Sequence, residues 1–425
     1  MRKGWLIPVA AAAAVLLLSG CGLGGDGGAG EDVDASGEVK GKVTFQTWAL
    51  QPKFTDYVQG VIDAFEAAYP GTEVEWLDQP GDGYSDKVLS QAAGGSLPDV
   101  VNLPPDFVLP LVQQGMLLDI EGADDKLNAD YVTGGIDAYR YTGHNGVYAY
   151  PWYLNTDVNY WNTELLAKYG LDPAKLPTTV DELIAQARTM KKESGGEVYL
   201  MSRKPELGDL ANAGVPIMAE DGKSFVFNTP EAAAVLDKYR AAFAEGLMPR
   251  DVLTDKYAGN AELFNSGTVA WTTGGGNYIT SLATDNPTLA PKVIPSPAMG
   301  TPPLYAQGLS VASGSKNLPT AMALARWVTN AENQAAFAHL VNIFPSTKAS
   351  ANDPFFAQSD GTPSGDAKVI AFTSLAQARM LQPVEVTGAM SDIVKQQISL
   401  AISGDASSQE ALDAAVEQCD KLIGQ

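Results

Sequence analysis

The chain has 425 residues, more than one hydrophobic core comfortably accommodates, so we expect two domains. Its 45% hydrophobic and 18% charged residues are typical of a globular protein, and its net charge of −22 argues against nucleic acid or anionic membrane surfaces as partners. Two cysteines and two histidines give little support to a disulfide framework, a zinc site or a Cys–His nucleophile. We therefore expect no metal and no cofactor.

The amino terminus has the features of a secretion signal. Two basic residues precede an apolar run, residues 6–18, that is too short to span a bilayer. Leu-Ser-Gly-Cys then resembles a lipobox, in which Cys21 receives a diacylglyceryl group; an ordinary secretory leader with an incidental cysteine is the alternative. We predict a lipoprotein signal peptide over residues 1–20, a flexible Gly- and Asp-rich tether over 21–41, and a lipid-anchored protein on the extracellular face of the cell membrane.

Strands and helices alternate in the part of the chain that follows. The patterns predict a strand at 42–48, a helix with an apolar stripe over 54–65, a strand at 72–77, a helix near 84–93 and a strand at 97–101. This alternation predicts a parallel sheet covered by helices.

The rest of the chain continues with mixed elements and then mainly helices. A capping box at 179–182 begins one helix, Pro230 begins another, and short strands are predicted at 198–201, 268–272 and 307–312. The remaining predicted helices are 257–265, 319–329, 331–340, 367–376, 385–403 and 407–422.

Residues 148–162 carry six aromatic side chains around Pro151. Pro151 fixes its own φ and holds Tyr150 extended, and strand character follows from Leu154. We interpret this stretch as chain that crosses between two bodies, beside a cleft in which flat rings bind a ligand. Trp152 is the candidate stacking platform, because Pro151 restrains its backbone. An aromatic-rich core strand is the alternative.

The same stretch resembles a known family. The residues that carry the resemblance lie, in order, at 150–152, 160–165, 170–173, 177–179 and 181–183. They look like the signature of extracellular solute-binding proteins of the sugar-binding group, which are the capture components of ABC importers and are related to maltose-binding protein. The resemblance extends over nearly all of the chain after the tether.

The resemblance implies an α/β fold that is periplasmic-binding-protein-like, with two α/β lobes joined by hinge crossings and a ligand cleft between them. Lobe one is expected to comprise residues 42–152 and 304–344, and lobe two residues 153–303 and 345–425. Each lobe is therefore expected to be discontinuous in sequence.

Candidate ligand contacts lie near predicted strand ends. Trp48 ends the first strand, and Asp106 follows the third, where a carboxylate can accept hydrogen bonds from sugar hydroxyls. Asp106 can equally cap the helix that begins at Phe107. Asn155 corresponds to a polar contact in the relatives. Lys204-Pro205-Glu206 falls where maltose-type members have an acid and an aromatic. Arg203 and Lys204 could contact an acidic or polar sugar, although a solvated loop is the simpler interpretation.

A glycine-rich turn provides the last candidates, which are Gly275, Gly276, Asn277 and Tyr278. It lacks the Lys-Ser/Thr ending of a P-loop, so nucleotide binding is not expected. Glycine lets backbone approach a ligand closely, and the relatives place ligand contacts here. Maltose-type members carry Gly-Pro-aromatic at this position, whereas this chain has Gly-Gly-Asn followed by tyrosine.

The resemblance implies a monomer that captures a sugar or oligosaccharide and delivers it to the membrane subunits of an ABC permease, without catalysis. A solute-binding protein for a non-sugar ligand is one alternative, and a secreted carbohydrate-active enzyme is another. A glycoside hydrolase needs two carboxylates across the scissile bond, and no motif among the 50 Asp and Glu residues marks such a pair.

Overall fold

The structure is a computed structural model that describes residues 36–254, 259–341 and 343–423. The predicted signal peptide, Cys21 and most of the tether lie outside the described residues. Within the described ranges, no helix combines the length and the apolar character that a membrane span needs.

The strands lie in two sheets, and most of them are short. They are β1 (Gly41–Trp48), β2 (Thr72–Gln79), β3 (Val100–Leu103), β4 (Tyr150–Asn155), β5 (Asp157–Asn162), β6 (Trp271–Gly275), β7 (Val293–Ser296), β8 (Tyr305–Val311) and β9 (Phe344–Pro345).

Helices surround the sheets. They are α1 (Thr55–Ala68), α2 (Tyr84–Ala93), α3 (Pro105–Gln113), α4 (Ile120–Ala123), α5 (Leu127–Asp130), α6 (Thr133–Asp137), α7 (Thr163–Lys168), α8 (Val180–Ser194), α9 (Leu207–Asn212), α10 (Pro230–Ala244), α11 (Asn260–Asn265), α12 (Tyr278–Asp285), α13 (Leu318–Val328), α14 (Ala331–Val341), α15 (Pro354–Ala357), α16 (Pro363–Ser374), α17 (Gly388–Ser403) and α18 (Ser408–Asp420). Short 3₁₀ turns occur at Arg250–Leu253, Ala290–Lys292 and Lys348–Asn352.

The larger sheet has six strands among the described residues, in the order β2-β1-β3-β8-β4-β9. β1 pairs in parallel with β2 and β3, which confirms the predicted parallel arrangement of these three strands. β8 then runs antiparallel between β3 and β4, and β9 closes the edge. The carboxyl ends of β1 and β3 therefore lie at one edge of the sheet, with Trp48 at the first and α3 after the second.

The smaller sheet has three strands among the described residues, in the order β6-β5-β7, with β5 antiparallel to both neighbours. Thr156 alone separates β4 of the large sheet from β5 of the small sheet. The chain returns through residues 297–304, between β7 and β8. The two sheets are thus joined by one very short crossing and one longer loop.

Successive side chains of β5 point to opposite faces, and two buried clusters cover those faces. Val158 and Tyr160 join the cluster that also packs the large sheet. Trp161 faces the second cluster, which is built by α8, α10, α17 and α18.

Four of the predicted elements differ in the structure. Residues 198–201 do not form a named strand, because Tyr199 makes only an isolated bridge with Val269. The third strand begins at Val100, after the predicted start at residue 97, and β6 begins at Trp271, after the predicted start at residue 268. Of the helix predicted over 257–265, the structure describes Asn260–Asn265 as helical, and residues 255–258 lie outside the described residues.

Candidate ligand-binding site

A cavity of about 820 Å³ lies beside the crossings. Its walls come from the start of α3 and of β8, from β5 and β6, from α9 and α10, and from the loops at 298–303 and 380–384. Both sheets therefore contribute to it. Ligand pockets in proteins usually have volumes of about 300–1,000 Å³, so this cavity is large enough for a small organic molecule or a short oligomer.

Two aspartates are part of this cavity. Asp106 occupies the first turn of α3, and Asp157 is the first residue of β5. Tyr305 Oη, at the start of β8, donates a hydrogen bond to Asp157 Oδ2 at 3.1 Å. This bond joins a residue of the large sheet to a residue of the small sheet.

Burial affects both carboxyl groups in the same direction. The protein around Asp157 raises its pKa, while the hydroxyl of Tyr305 and the charge of Arg203 oppose the rise. Water reaches Asp106, yet the surrounding protein also raises its pKa, against backbone N–H groups at the start of α3. Both groups are therefore acceptors whose ionised form lacks full solvation, and donors from a ligand would stabilise them.

Arg203 is held by an ion pair. Its guanidinium donates to Asp209 Oδ2 at 2.6 Å and to Asp209 Oδ1 at 3.0 Å, in a bidentate arrangement. Asp209 Oδ2 also accepts the backbone N–H of Glu206, where α9 begins. Arg203, Glu206 and Asp209 all line the cavity. Arg203 is therefore a fixed part of the wall and not the solvated loop residue that the sequence favoured.

The inward side chains of β5 and β6 form a second polar wall. Trp271 Nε1 donates to Asn159 Oδ1 at 2.9 Å, and Asn159 Nδ2 donates to the carbonyl of Pro297 at 2.5 Å. These two bonds fix which end of the Asn159 amide is the acceptor. The indole of Trp271 stacks on Trp161, with ring centroids 5.9 Å apart, so this wall is rigid.

Asn212 positions the loop that forms another part of the wall. Its Oδ1 accepts the backbone N–H of Thr301 at 2.7 Å, and its Nδ2 donates to the carbonyls of Met299 and Thr301 at 3.3 Å each. Gly300 adopts a φ of +86°, and a Cβ there would lie 2.8 Å from Asn212 Oδ1. Glycine is therefore required at this position by both conformation and space.

Large apolar side chains are exposed in the cavity. Among the described residues, Tyr305, Leu340 and Met380 are the large hydrophobic side chains with high exposure, at 51%, 63% and 37%. Two of these three, Tyr305 and Met380, line the cavity. Exposed apolar surface beside convergent polar groups is typical of a binding site, and the ring of Tyr305 is available to stack on a ligand.

The ligand-binding residues predicted from the sequence lie in different parts of the structure. Asp106 lines the cavity. The ring of Trp48 stacks on Tyr84 at 5.1 Å and approaches Phe107, the neighbour of Asp106 in the chain, at 6.0 Å. Among the described residues, Trp48 is not part of the cavity wall, and ligand contact by this indole stays a prediction.

The glycine turn and Asn155 lie together at the edge of the small sheet. Gly275 pairs with Asp157, and a Cβ on Gly275 would lie 2.6 Å from Asn155 Nδ2 and 2.9 Å from Asn277 Oδ1. Gly276 is buried, and a Cβ there would lie 2.8 Å from Ala371 Cβ.

Tyr278, next in the chain, packs on Tyr160 at 5.0 Å. Within the described part of the chain, neither the turn, Asn155 nor Tyr278 forms a wall of the 820 Å³ cavity. The close packing around the turn leaves no room for side chains at Gly275 and Gly276, which explains the glycines structurally. Ligand contacts by the turn, Asn155 and Tyr278 stay predictions.

Trp152 is in the core, which is the alternative that the sequence left open. The side chain has 0% exposure and stacks on Phe337 of α14, with centroids 5.4 Å apart. The pairing of β4 with β8 shifts register between Pro151 and Tyr153, so Trp152 is the extra residue of a bulge. The indole packs against α14 and is not part of the cavity wall, so Trp152 is not a stacking platform for a ligand in this cavity.

We expect Asp157→Asn to raise the thermal stability of the ligand-free protein at neutral pH. Since the pKa of Asp157 is raised in the folded protein, its ionised form opposes folding above that pKa, and this effect disappears as the pH falls through it. The difference in thermal stability between the variant and the unmodified protein should be largest at neutral pH and should decrease in acid. Melting curves of both proteins between about pH 4 and 8 test this, and a variant less stable at every pH would contradict it.

Comparison with known proteins identifies the family. The family of bacterial extracellular solute-binding proteins matches residues 51–335 of the chain. The chain belongs to this family. A protein of Brucella abortus (strain 2308) described as a binding protein is 22% identical over 404 residues, covering 92% of this chain and 95% of that protein. The family assignment confirms the resemblance found in the sequence.

Solved structures show the fold. A Synechococcus sp. MITs9220 protein assigned as an oligosaccharide periplasmic-binding protein superposes with a TM-score of 0.80 and 26% identity, over 90% of this chain and 98% of that chain. The cyclic alpha-maltosyl-1,6-maltose binding protein from Arthrobacter globiformis superposes with a TM-score of 0.74 and 22% identity, over 90% and 98%. These similarities confirm the predicted α/β, periplasmic-binding-protein-like fold.

The family and these neighbours are binding proteins. Within the described residues, no group of three or more His, Cys, Asp and Glu side chains could hold a metal ion.

Proposed function

We propose that the protein captures a sugar or oligosaccharide outside the cell membrane and delivers it to the permease of an ABC importer. The observation that carries this proposal is the composition of the cavity wall. Carboxylates at Asp106 and Asp157 accept hydrogen bonds from hydroxyl groups, and the ring of Tyr305 offers an apolar face. A saccharide presents hydroxyl edges and apolar ring faces in this combination.

The relatives support a sugar as the ligand. The Synechococcus protein is assigned to oligosaccharides and the Arthrobacter protein binds a cyclic maltosyl-maltose. The 26% identity to the first of these, over nearly its whole length, favours a ligand of the same class here.

Capture proceeds by closure of two lobes around the ligand. The lobes are those predicted from sequence, 42–152 with 304–344 and 153–303 with 345–425. The short crossing at Thr156, the loop 297–304 and the chain near Pro345 are the hinge connections. A ligand that contacts both lobes binds the closed form more tightly than the open form, and this difference shifts the population to the closed form. A monomer suffices for this mechanism.

Identification of a co-purified ligand tests the proposal. The mature protein, residues 21–425 with Cys21 replaced by Ser, is purified, and the released small molecules are analysed by mass spectrometry. A thermal-shift screen of mono- and oligosaccharides follows, where a ligand at about 100 times its Kd stabilises the fold by about 2.7 kcal/mol. A saccharide that binds and is recovered intact is the expected result.

Two outcomes would contradict this function. A shift produced only by non-sugar solutes would make the protein a binder of another ligand class. Saccharides recovered in shortened form after incubation would indicate a carbohydrate-active enzyme instead.

We also propose that Cys21 anchors the protein to the outer face of the cell membrane. Two acyl chains give stable membrane attachment, where one chain does not. Intact-mass analysis of the cell-associated protein should show a diacylated amino-terminal Cys21, and Cys21→Ser should release the protein or leave its leader uncleaved. Cleavage at another position, with an unmodified Cys21, would contradict the anchor but not sugar binding.

A further inference from the structure

The cavity contains more negative charge than positive charge. Six charged side chains line it, of which four are acidic and two are basic; these are Asp106, Asp157, Glu206, Asp209, Arg203 and Lys238. This imbalance bears on which saccharides the cavity accepts.

Both cations already have partners. Arg203 is paired with Asp209 at 2.6 Å, and Lys238 is paired with Asp181 at 2.8 Å, outside the cavity wall. Arg203 is therefore largely neutralised by Asp209, and the exposed Lys238 is partly neutralised by Asp181.

The remaining carboxylates have no ion-pair partner among the described residues. These are Asp106, Asp157 and Glu206. Asp157 accepts a hydrogen bond from the hydroxyl of Tyr305, which is neutral. Asp157 is also only partly exposed and belongs to the crossing between the sheets, so a ligand held between the lobes passes close to it.

The physical consequence depends on the charge of the ligand. A hydroxyl group or a protonated amine donates hydrogen bonds to an underhydrated carboxylate and stabilises it. A carboxylate, sulfate or phosphate on the ligand places a like charge beside Asp157, which the protein partly shields from solvent. Unpaired charges that oppose the wrong ligand are a common source of specificity.

We infer that this site selects saccharides by charge. It accepts neutral and amine-bearing saccharides and rejects those with a carboxylate, sulfate or phosphate, and Asp157 is the main discriminating residue. This inference rests on the proposed function and narrows its substrate class.

A binding panel with three charge classes tests the inference. Maltotriose and cellobiose represent neutral saccharides, chitosan oligomers represent amine-bearing ones, and oligogalacturonates with sulfated disaccharides represent anionic ones. We expect the binders to be neutral or amine-bearing, with anionic members weaker by roughly tenfold or more. An anionic saccharide that binds within tenfold of the best neutral one overturns the inference and leaves the proposed function standing. If no saccharide binds, both fail.

Substitution then tests the role of Asp157. Asp157→Asn keeps the shape of the side chain and removes its charge. It should lower the affinity for the neutral or amine-bearing saccharide by about tenfold and reduce the difference in affinity between that saccharide and the anionic ones. Asp63→Asn is the matched control, because Asp63 is an exposed carboxylate on α1, outside the cavity. If the ratio of affinities for neutral and anionic saccharides is unchanged in Asp157→Asn, or changes equally in Asp63→Asn, Asp157 is not the discriminating residue.

Discussion

Trp152→Ala is expected to lower the free energy of unfolding by about 3–5 kcal/mol, because it removes a large buried side chain and leaves a void. The indole is fully buried against Phe337, with an angle of 22° between the rings. Sugar affinity per folded molecule should stay unchanged, since the ring is not part of the cavity wall. Denaturant midpoints and calorimetric titration on the same protein measure the two quantities separately.

A second substitution at this position provides the control. Trp152 Nε1 has no hydrogen-bond partner among the described residues, so Trp152→Phe keeps an aromatic ring and removes a buried unsatisfied donor. Trp152→Phe should therefore lose much less stability than Trp152→Ala. If instead Trp152→Ala kept its midpoint and lost sugar affinity, the indole would be a ligand contact and its placement in the core would be wrong.

Tyr305→Ala is expected to have the opposite effect to Trp152→Ala: a clear loss of sugar affinity and only a small loss of stability. Removing the exposed ring should weaken sugar binding by about 1–3 kcal/mol, judged from aromatic contacts and the apolar area that a ligand covers. Stability should fall by only about 0.5–1.5 kcal/mol, because the ring is half exposed and the main loss is the hydrogen bond to Asp157. Calorimetric titration with the saccharide from the thermal-shift screen measures the loss of affinity.

Two further variants show whether the loss of affinity in Tyr305→Ala comes from the ring, from the hydroxyl group or from truncating any exposed side chain. Tyr305→Phe keeps the ring and removes the intramolecular hydrogen bond to Asp157 Oδ2, so it should keep most of the affinity and lose about 0.5–1.5 kcal/mol of stability. Leu340→Ala truncates an exposed side chain of α14 that does not line the cavity, and it should bind as the unmodified protein does. Equal affinity in Tyr305→Ala and Leu340→Ala would contradict a role for the ring of Tyr305.

The fold was predictable where one periodic pattern dominated. The apolar stripe of α1 includes Val58, Val61, Ile62 and Phe65, and all four are buried in the structure. The strand at 198–201 failed because a short apolar run does not by itself specify a pairing partner, and Tyr199 finds only Val269.

The site was less predictable, because its residues meet only in the folded chain. Asp106 was found from its position after a strand, and it lines the cavity. Asp157 was missed because the family resemblance singles out Asn155, two residues earlier, whose amide lies against the glycine turn. Tyr305 was missed because it follows a proline-rich loop, whose course the sequence does not predict. The bulge that buries Trp152 has no signal in a single sequence.

Asn212 has an evolutionary consequence. Its amide binds the backbone of Met299 and Thr301 and makes no use of their side chains, so only Gly300 is constrained by the contact. Substitutions at Met299 and Thr301 can therefore alter the surface presented to a ligand while the loop keeps its course. A descendant of this protein could change its preferred solute through these positions without rebuilding the scaffold, and divergence among relatives should concentrate there while Asn212 and Gly300 are retained.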